Sequence, residues 1–385
     1  MERIRERQRL AMRAILTHAY ENVPFYRSHF DSHGFDPRGF STLEDIARVP
    51  FLEKRHLRET PVEQLVARGV EPSRCQVVST SGSTGAPLRM YLDLEARRHQ
   101  RVSAWRIQFE HGFRWTWRTV EIRMTLGGTH PAQRLGVAPK TWLSILDAPE
   151  KWVAAIRDVR PEVIMAGAST LDALARAWPS NMPRPRIVIS DSETLYPATR
   201  ALIESRLGVA PVDVYGLVEL SDFAWECERR EGYHWNADSH YVEIVDGTIV
   251  ATDMLQAGMP VIRYRTGDRA EAMGGECECG RTLPRLGRID GREADAVILP
   301  SGRALFWPFF HEVLARYDGL NRWRVTQRAD GSLLLALETN GGDAARIGAD
   351  LELHLPEPLS VEAIAVPEIR QRAGKKFRAV VRERV

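Results

Sequence analysis

Four cysteines in a chain of 385 residues are too few for a disulfide scaffold, and a reducing cytoplasm is the simplest address. No apolar run approaches the ~18 residues that a membrane span requires. The opening residues, Met1-Glu2-Arg3-Ile4-Arg5-Glu6-Arg7, are charged and lack the apolar centre of a signal peptide. An excess of one charge is missing as well. The 53 basic residues face 51 acidic ones, and a formal net charge of +2 gives no global field that selects nucleic acid or anionic membrane. There is no internal repeat, no low-complexity linker and no Gly-x-x-x-x-Gly-Lys-Ser/Thr loop, so a Walker A nucleotide site is excluded. The balance that remains, 44% hydrophobic and 27% charged, is that of an ordinary globular protein long enough for roughly two or three units.

Residues 1–60 read as helical, with Leu10, Met12, Ile15, Leu16 and Tyr20 at helical spacing until Pro24 interrupts the pattern. From about residue 75 to 290, short β-rich runs alternate with helical ones. Cys75–Val78, Glu162–Ala166, Ile187–Ser190 and Val212–Tyr215 read as strands, and Glu95–Phe109, Leu171–Trp178 and Ala198–Leu207 as helices. Such alternation implies a parallel sheet covered on both faces. Beyond Leu299 the texture becomes that of a smaller α+β unit, with a helix near Pro308–Tyr317 and strands around Trp323–Gln327 and Ser332–Glu338.

The most informative segment is Val78-Ser79-Thr80-Ser81-Gly82-Ser83-Thr84-Gly85-Ala86-Pro87, which follows a strand. Its glycines allow close approach of the backbone to a ligand, and exposed N–H groups in such turns bind anions. The hydroxyls of Thr80, Ser81, Ser83 and Thr84 add donors without bulk. A flexible Ser/Gly turn is the plain alternative. Downstream come Asp213-Val214-Tyr215-Gly216-Leu217-Val218-Glu219, Arg263-Tyr264-Arg265-Thr266-Gly267-Asp268, Gly287-Arg288-Ile289-Asp290-Gly291-Arg292 and Arg372-Ala373-Gly374-Lys375-Lys376-Phe377-Arg378. In this order the segments resemble the adenylate-forming superfamily of acyl-CoA synthetases, adenylation domains and luciferases. Glu21–Arg27, Pro50-Phe51-Leu52-Glu53-Lys54 and Cys277-Glu278-Cys279-Gly280-Arg281 look like the phenylacetate–CoA ligase branch. The likeness runs from about residue 10 to 380.

The resemblance implies an α/β fold: a large N-terminal adenylate-forming domain with parallel-sheet layers, residues 1–292, and a small α+β C-terminal domain. The latter, residues 293–385, would be mobile and carry the catalytic lysine. It implies that Thr80, Ser81, Gly82, Ser83, Thr84 and Gly85 grip the ATP phosphates. Tyr215, beside Gly216, would stack on adenine, with Glu193 on a short adenine-side loop. Glu219 would hold Mg²⁺, a hard cation suited to one carboxylate and several waters, and Asp268 would accept both ribose hydroxyls. Arg292 would approach ribose and phosphate. Lys375 would stabilise charge on the α-phosphate, with adjacent Lys376 as the alternative counterpart. A solvated basic tail is the plain reading of Arg370–Arg378.

One departure concerns the hinge. After Gly291-Arg292-Glu293 the family's aspartate is replaced by Ala294, so either Asp295 substitutes or the thioester-forming rotation is altered. Three of the four cysteines, Cys227, Cys277 and Cys279, join His234 in a pattern that suits tetrahedral structural zinc, the alternative being reduced, buried thiols. Substrate-pocket candidates are Gly128 and His130 in Gly127–His130, Gly167 and Ala168 in Gly167–Ser169, and Ser221–Trp225.

The expected activity is therefore that of an enzyme, an adenylate-forming ligase. It joins a carboxylic acid, aromatic by the resemblance, to AMP with release of pyrophosphate, then transfers the acyl group to a thiol such as CoA with release of AMP. The rival readings are a non-CoA acceptor (an amine or carrier protein), an unusual oxyanion substrate of diazo type, and a nucleotide-binding homologue that has lost catalysis. Homodimerisation is compatible with the branch, though no residue pattern marks a dimer surface.

Overall fold

In the computed structural model, which describes residues 2–79, 88–124, 126–128, 130–292, 295–339, 343–369 and 376–383, the chain divides into two units. One comprises residues 1–115, 212–266 and 270–288, the other residues 116–211, 267–269 and 289–385. The second unit contains the parallel sheet. Strand Thr119–Arg123 pairs in parallel with Lys140–Ser144 and Val163–Gly167, and Val163–Gly167 with Ile187–Asp191. Val163–Gly167 is buried at every position, as a strand covered on both faces must be. Helices Pro149–Val159, Ala168–Ala177 and Pro197–Leu207 supply the cover, packing Trp152, Ile156, Leu171 and Leu207 with Val120, Ile164 and Val188. Burial of each such side chain contributes about 1.5–3 kcal/mol. Pro149 and Pro197 sit in the first helical turn, where the missing N–H has no partner to lose.

The same unit holds the α+β tail expected from the sequence. Strands Leu320–Gln327 and Leu333–Thr339 pair antiparallel and are flanked in parallel by Val380–Arg382 and Val361–Val366. Leu333, Leu335 and Leu337 alternate inward onto helices Trp307–Leu314 and Ala344–His354. Buried Asp172, on helix Ala168–Ala177, accepts from Arg176 at 2.8 Å and pairs with Arg322 of the tail at 2.7 Å. Tyr196 accepts from the Ala379 N–H at 3.1 Å and packs edge-on against Trp307 and Phe377.

The first unit is built differently. Beyond Val212 the connections are too short for a crossover, so strands Val212–Leu217, Ser221–Glu226 and Tyr233–Trp235 run antiparallel in succession. His240–Val245 and Thr248–Asp253 form a further hairpin. The strand–helix alternation of the sequence thus holds for residues 119–207 and gives way to hairpins afterwards. At the N-terminus, helix Glu2–Asn22 buries Met12, Ile15, Leu16 and Ala19, whereas Leu10, read as part of the same stripe, is 53% exposed. Pro24 opens a second helix, Pro24–Ser32, behind an extended Val23. Tyr26 of this helix donates to the Pro260 carbonyl at 2.9 Å and accepts from the Ile262 N–H at 3.1 Å.

Three histidines cluster here. The His29 ring lies 4.7 Å from His33 and 5.1 Å from His56, with its Nε2 3.2 Å from the Phe51 carbonyl. Burial, followed by the neighbouring His33 and His56, pushes the His29 pKa down to about 4; the Phe51 carbonyl and Glu53 act the other way. Between that value and the ordinary ~6.5 the unfolded chain binds the extra proton, so His29 contributes stability above pH ~6.5 that is lost as pH falls toward 4. The drop in urea midpoint between pH 7 and pH 5 is expected to shrink in His29→Gln. An unchanged drop would remove His29 from the pH response.

Candidate active site and cysteine–histidine cluster

Strand Gln76–Ser79 pairs antiparallel with Arg89–Leu92, Ser79 opposite Arg89, so the Ser/Thr/Gly segment spans the end of a hairpin. Thr80, Ser81, Gly82, Ser83, Thr84 and Gly85 themselves lie outside the described residues, as do Lys375, Glu293 and Ala294.

In the second unit the structure brings together Glu193, Asp268, Arg292 and Lys376. Gly267, at φ +76, turns the backbone in the left-handed region just before Asp268, whose side chain is buried. Arg292 Nε donates to Asp268 Oδ1 at 3.3 Å. The Lys376 ammonium donates to the Ser192 carbonyl. Burial of this ammonium and the nearby Arg292 cation hold its pKa below the usual lysine value, against the pull of Glu193, Asp268 and Asp191, although the residue as a whole is exposed. Glu193 sits at the start of helix Ala168–Ala177, accepting from the Ser169 N–H at 3.0 Å and its hydroxyl at 2.9 Å. Burial raises the Glu193 pKa; the Ser169 donors and Lys376 oppose the rise. Asp295, next to the hinge position, is paired with Arg378 at 2.8 Å.

Sequence reasoning missed what supports this group. Arg123 grips Asp191 with both prongs of its guanidinium, one at 2.8 Å to Oδ1, and its Nε donates to Glu121 at 2.9 Å. Lys140 completes the chain at 2.6 Å from Glu121. A bidentate pair of this kind pins the end of strand Ile187–Asp191. Directly beyond it, Ser192 adopts a left-handed φ of +65 and presents the carbonyl that Lys376 holds.

Tyr215 and Glu219 belong to the first unit. Tyr215 lies on strand Val212–Leu217, edge-on to Phe223 at 5.4 Å. A bulge follows it, and at Gly216 a Cβ would stand 2.6 Å from both the Asp222 Cα and the Ser221 carbonyl, so only glycine fits. Glu219, in the turn beyond, is buried and accepts from the Tyr264 hydroxyl at 2.8 Å. The sequence motif alone gives Tyr264 no role, because its partner is 45 residues away and no local signal marks it. A buried carboxylate held by a neutral donor is a fitting ligand for a hard cation.

Of the pocket candidates, Gly167 is the N-cap of helix Ala168–Ala177, and Ala168 is buried. His130 is exposed and caps helix Pro131–Arg134, its Nδ1 accepting from the Ala132 N–H at 3.2 Å. Gly128 has open space around it.

The cysteine–histidine pattern converges in the first unit. The donor atoms of Cys227, His234, Cys277 and Cys279 all lie within 4.8 Å of one another. Cys227 and Cys277 sulfurs are 3.7 Å apart, and Cys279 Sγ is 3.3 Å from His234 Nε2. Two thiolates on a tetrahedral zinc stand about 3.8 Å apart, and thiolate and imidazole nitrogen about 3.5 Å, so the set fits that ion. His234 Nδ1 lies 3.1 Å from the Leu283 carbonyl, which leaves Nε2 for the metal. Burial raises the Cys227 thiol to about 11. Burial acts the same way on Cys279, but hydrogen bonds from the Arg281 side chain and N–H, together with those of the Cys277 and Cys227 thiols, outweigh it and lower that thiol. Arg281 is itself fixed by Glu110 at 2.8 Å and Glu228 at 2.7 Å.

Among the described residues no helix is long and apolar enough to cross a membrane. No family model matches the chain. It is 31% identical over 328 residues to a phenylacetate-coenzyme A ligase of Pseudomonas putida, covering 78% of this chain and 73% of that protein. To the phenylacetate-coenzyme A ligase of Escherichia coli (strain K12) it is 30% identical over 349 residues, covering 80% and 75%. Among solved structures, 2-hydroxyisobutyryl-CoA ligase in the postadenylation state with R3-HIB-AMP superposes with a TM-score of 0.82 at 21% identity, over 97% of this chain and 88% of that one. That likeness establishes the fold, and the curated relatives establish the lineage: the chain belongs to the phenylacetate–coenzyme A ligase family of adenylate-forming enzymes.

Proposed function

We propose that the chain activates an aromatic or aryl-alkyl carboxylic acid by joining it to AMP and then passes the acyl group to the thiol of coenzyme A. The observation that carries this reading is the gathering of buried Asp268 with Arg292, Glu193 and Lys376. A two-oxygen acceptor beside cations suits a ribose diol next to a phosphate. The substrate carboxylate oxygen attacks the α-phosphorus of ATP, the bond to the β-phosphate bridging oxygen breaks, and pyrophosphate leaves. In the second step the thiol, losing its proton, attacks the acyl carbon and AMP departs.

Within this reading Thr80–Gly85 holds the phosphates, Tyr215 stacks on the adenine, Glu193 belongs to the short adenine-side loop, and Asp268 accepts the ribose hydroxyls. Glu219 would hold Mg²⁺, which when bound offsets the negative charge of the triphosphate. Arg292 and Lys375 supply positioned positive charge where it develops in the transition state. Residues 293–385 move as the smaller domain relative to 1–292. Gly128, His130, Gly167 and Ala168 border the acid. The ion that fits the cysteine–histidine cluster is a structural zinc, since four protein ligands leave no open position for chemistry.

One observation favours a second reading for the acceptor: Ala294 replaces the hinge aspartate of the resemblance. The test is product analysis with an aryl acid, Mg·ATP and CoA. Accumulating thioester supports transfer to CoA, whereas AMP and adenylate without thioester would assign the acyl group to an amine or carrier protein.

A further inference from the structure

Glu219 and Tyr264 form a buried polar pair inside the first unit. Their side chains are 3% and 1% exposed, and the Tyr264 hydroxyl donates to Glu219 Oε1 at 2.8 Å. Among the described residues this is the one hydrogen bond found for the Glu219 carboxylate. A buried carboxylate with one neutral donor retains most of its charge and is costly unless a cation shares it.

The tyrosine is itself held with unusual firmness. Arg263 before it adopts a left-handed φ of +49, a strained conformation for a side chain of this size. The strain is offset by contacts of the Arg263 guanidinium. It donates to the carbonyls of Ala47 at 2.9 Å and Val49 at 2.5 Å, pairs with Glu243 at 3.2 Å, and lies 4.2 Å from the Phe51 ring centre. The backbone on either side is tied to Leu52: its N–H donates to the Arg263 carbonyl at 3.1 Å, and the Arg265 N–H donates to the Leu52 carbonyl at 2.9 Å. Arg265 also stacks over Phe51 at 4.5 Å. Residues 47–52 therefore clamp the backbone from which the phenol projects.

We propose that Tyr264 is a positioning residue for Glu219, fixing one carboxylate oxygen so that the other is left for the divalent cation that accompanies ATP. The inference rests on the reading of Glu219 as the cation-holding acid. It assigns a task to the Arg263-Tyr264-Arg265 segment, upstream of the nucleotide-contacting Asp268.

The experiment is calorimetric ATP binding to the full chain, with Mg²⁺ and with EDTA, for wild type, Tyr264→Phe, Glu219→Gln and the double variant. Tyr264→Phe keeps the buried ring and deletes one hydrogen bond to a charged group. It is expected to weaken Mg·ATP binding about tenfold while leaving metal-free ATP binding unchanged. In turnover it raises the Mg²⁺ concentration for half-maximal rate more than it lowers kcat. Added to Glu219→Gln, it has no further effect on binding. Equal weakening with and without Mg²⁺, or additive effects in the double variant, would overturn the proposal by reducing Tyr264 to a packing residue. If Glu219→Gln alone leaves the Mg²⁺ dependence intact, the assignment of Glu219 fails, and the positioning role falls with it.

Discussion

Replacing Lys375 with alanine is expected to slow acyl-adenylate formation by about 10²–10³-fold while ATP affinity stays within a few-fold of wild type. The reason is differential binding: a cation that meets charge only as the α-phosphate is attacked contributes to the transition state rather than to the ground state. Lys376 provides the control. Its ammonium is already engaged with the Ser192 carbonyl and lies in the field of Glu193, Arg292 and Asp268. Lys376→Ala is therefore expected to act mainly through the nucleotide, raising the ATP KM by about tenfold, as loss of a hydrogen bond from a charged group would. Single-turnover rates and ATP affinities for both variants separate the roles. The reverse pattern, with kcat lost in Lys376→Ala and retained in Lys375→Ala, would move the catalytic charge by one residue.

Cys277→Ser is expected to release a stoichiometric metal ion and lower the melting temperature by on the order of 10 °C. Cys227 follows strand Ser221–Glu226 and His234 lies within Tyr233–Trp235, whereas Cys277 and Cys279 lie between strands Tyr264–Met273 and Arg285–Arg292. An ion held by all four joins two stretches distant in sequence, and its binding free energy becomes folding free energy. Loss of roughly 3 kcal/mol in a unit of this size moves the midpoint by about 6–12 °C. Chelation of the wild type should reproduce the shift, and Glu219-dependent ATP binding should survive it. A wild type that carries no metal and melts unchanged after chelation would contradict the zinc assignment.

What the sequence made legible follows the range of the interactions. Strand Ile187–Asp191 and helix Pro197–Leu207 lie within two residues of where periodicity places them, since local propensity and apolar spacing decide them. The convergence of Cys227, His234, Cys277 and Cys279 is legible because Cys-x-Cys is a local pattern and thiols are scarce. The switch from parallel to antiparallel pairing after Val212 was not visible, because strand direction depends on connection length and not on the strand's own composition. Leu10 shares the helical spacing of buried Met12, Ile15 and Leu16 yet is exposed, because spacing alone does not say where an apolar stripe ends. The Arg123–Asp191 fork and the Tyr264–Glu219 contact join residues 68 and 45 positions apart, and neither has a local signature.

The central claim, that this chain makes acyl-adenylates, is tested most directly by acid-dependent exchange of labelled pyrophosphate into ATP with Mg²⁺ and without CoA. Exchange that appears with aromatic carboxylic acids, requires Glu219 and Asp268, and needs no thiol is the result the account predicts. Protein that binds Mg·ATP yet exchanges no pyrophosphate with any acid of an aromatic and aliphatic panel would contradict it.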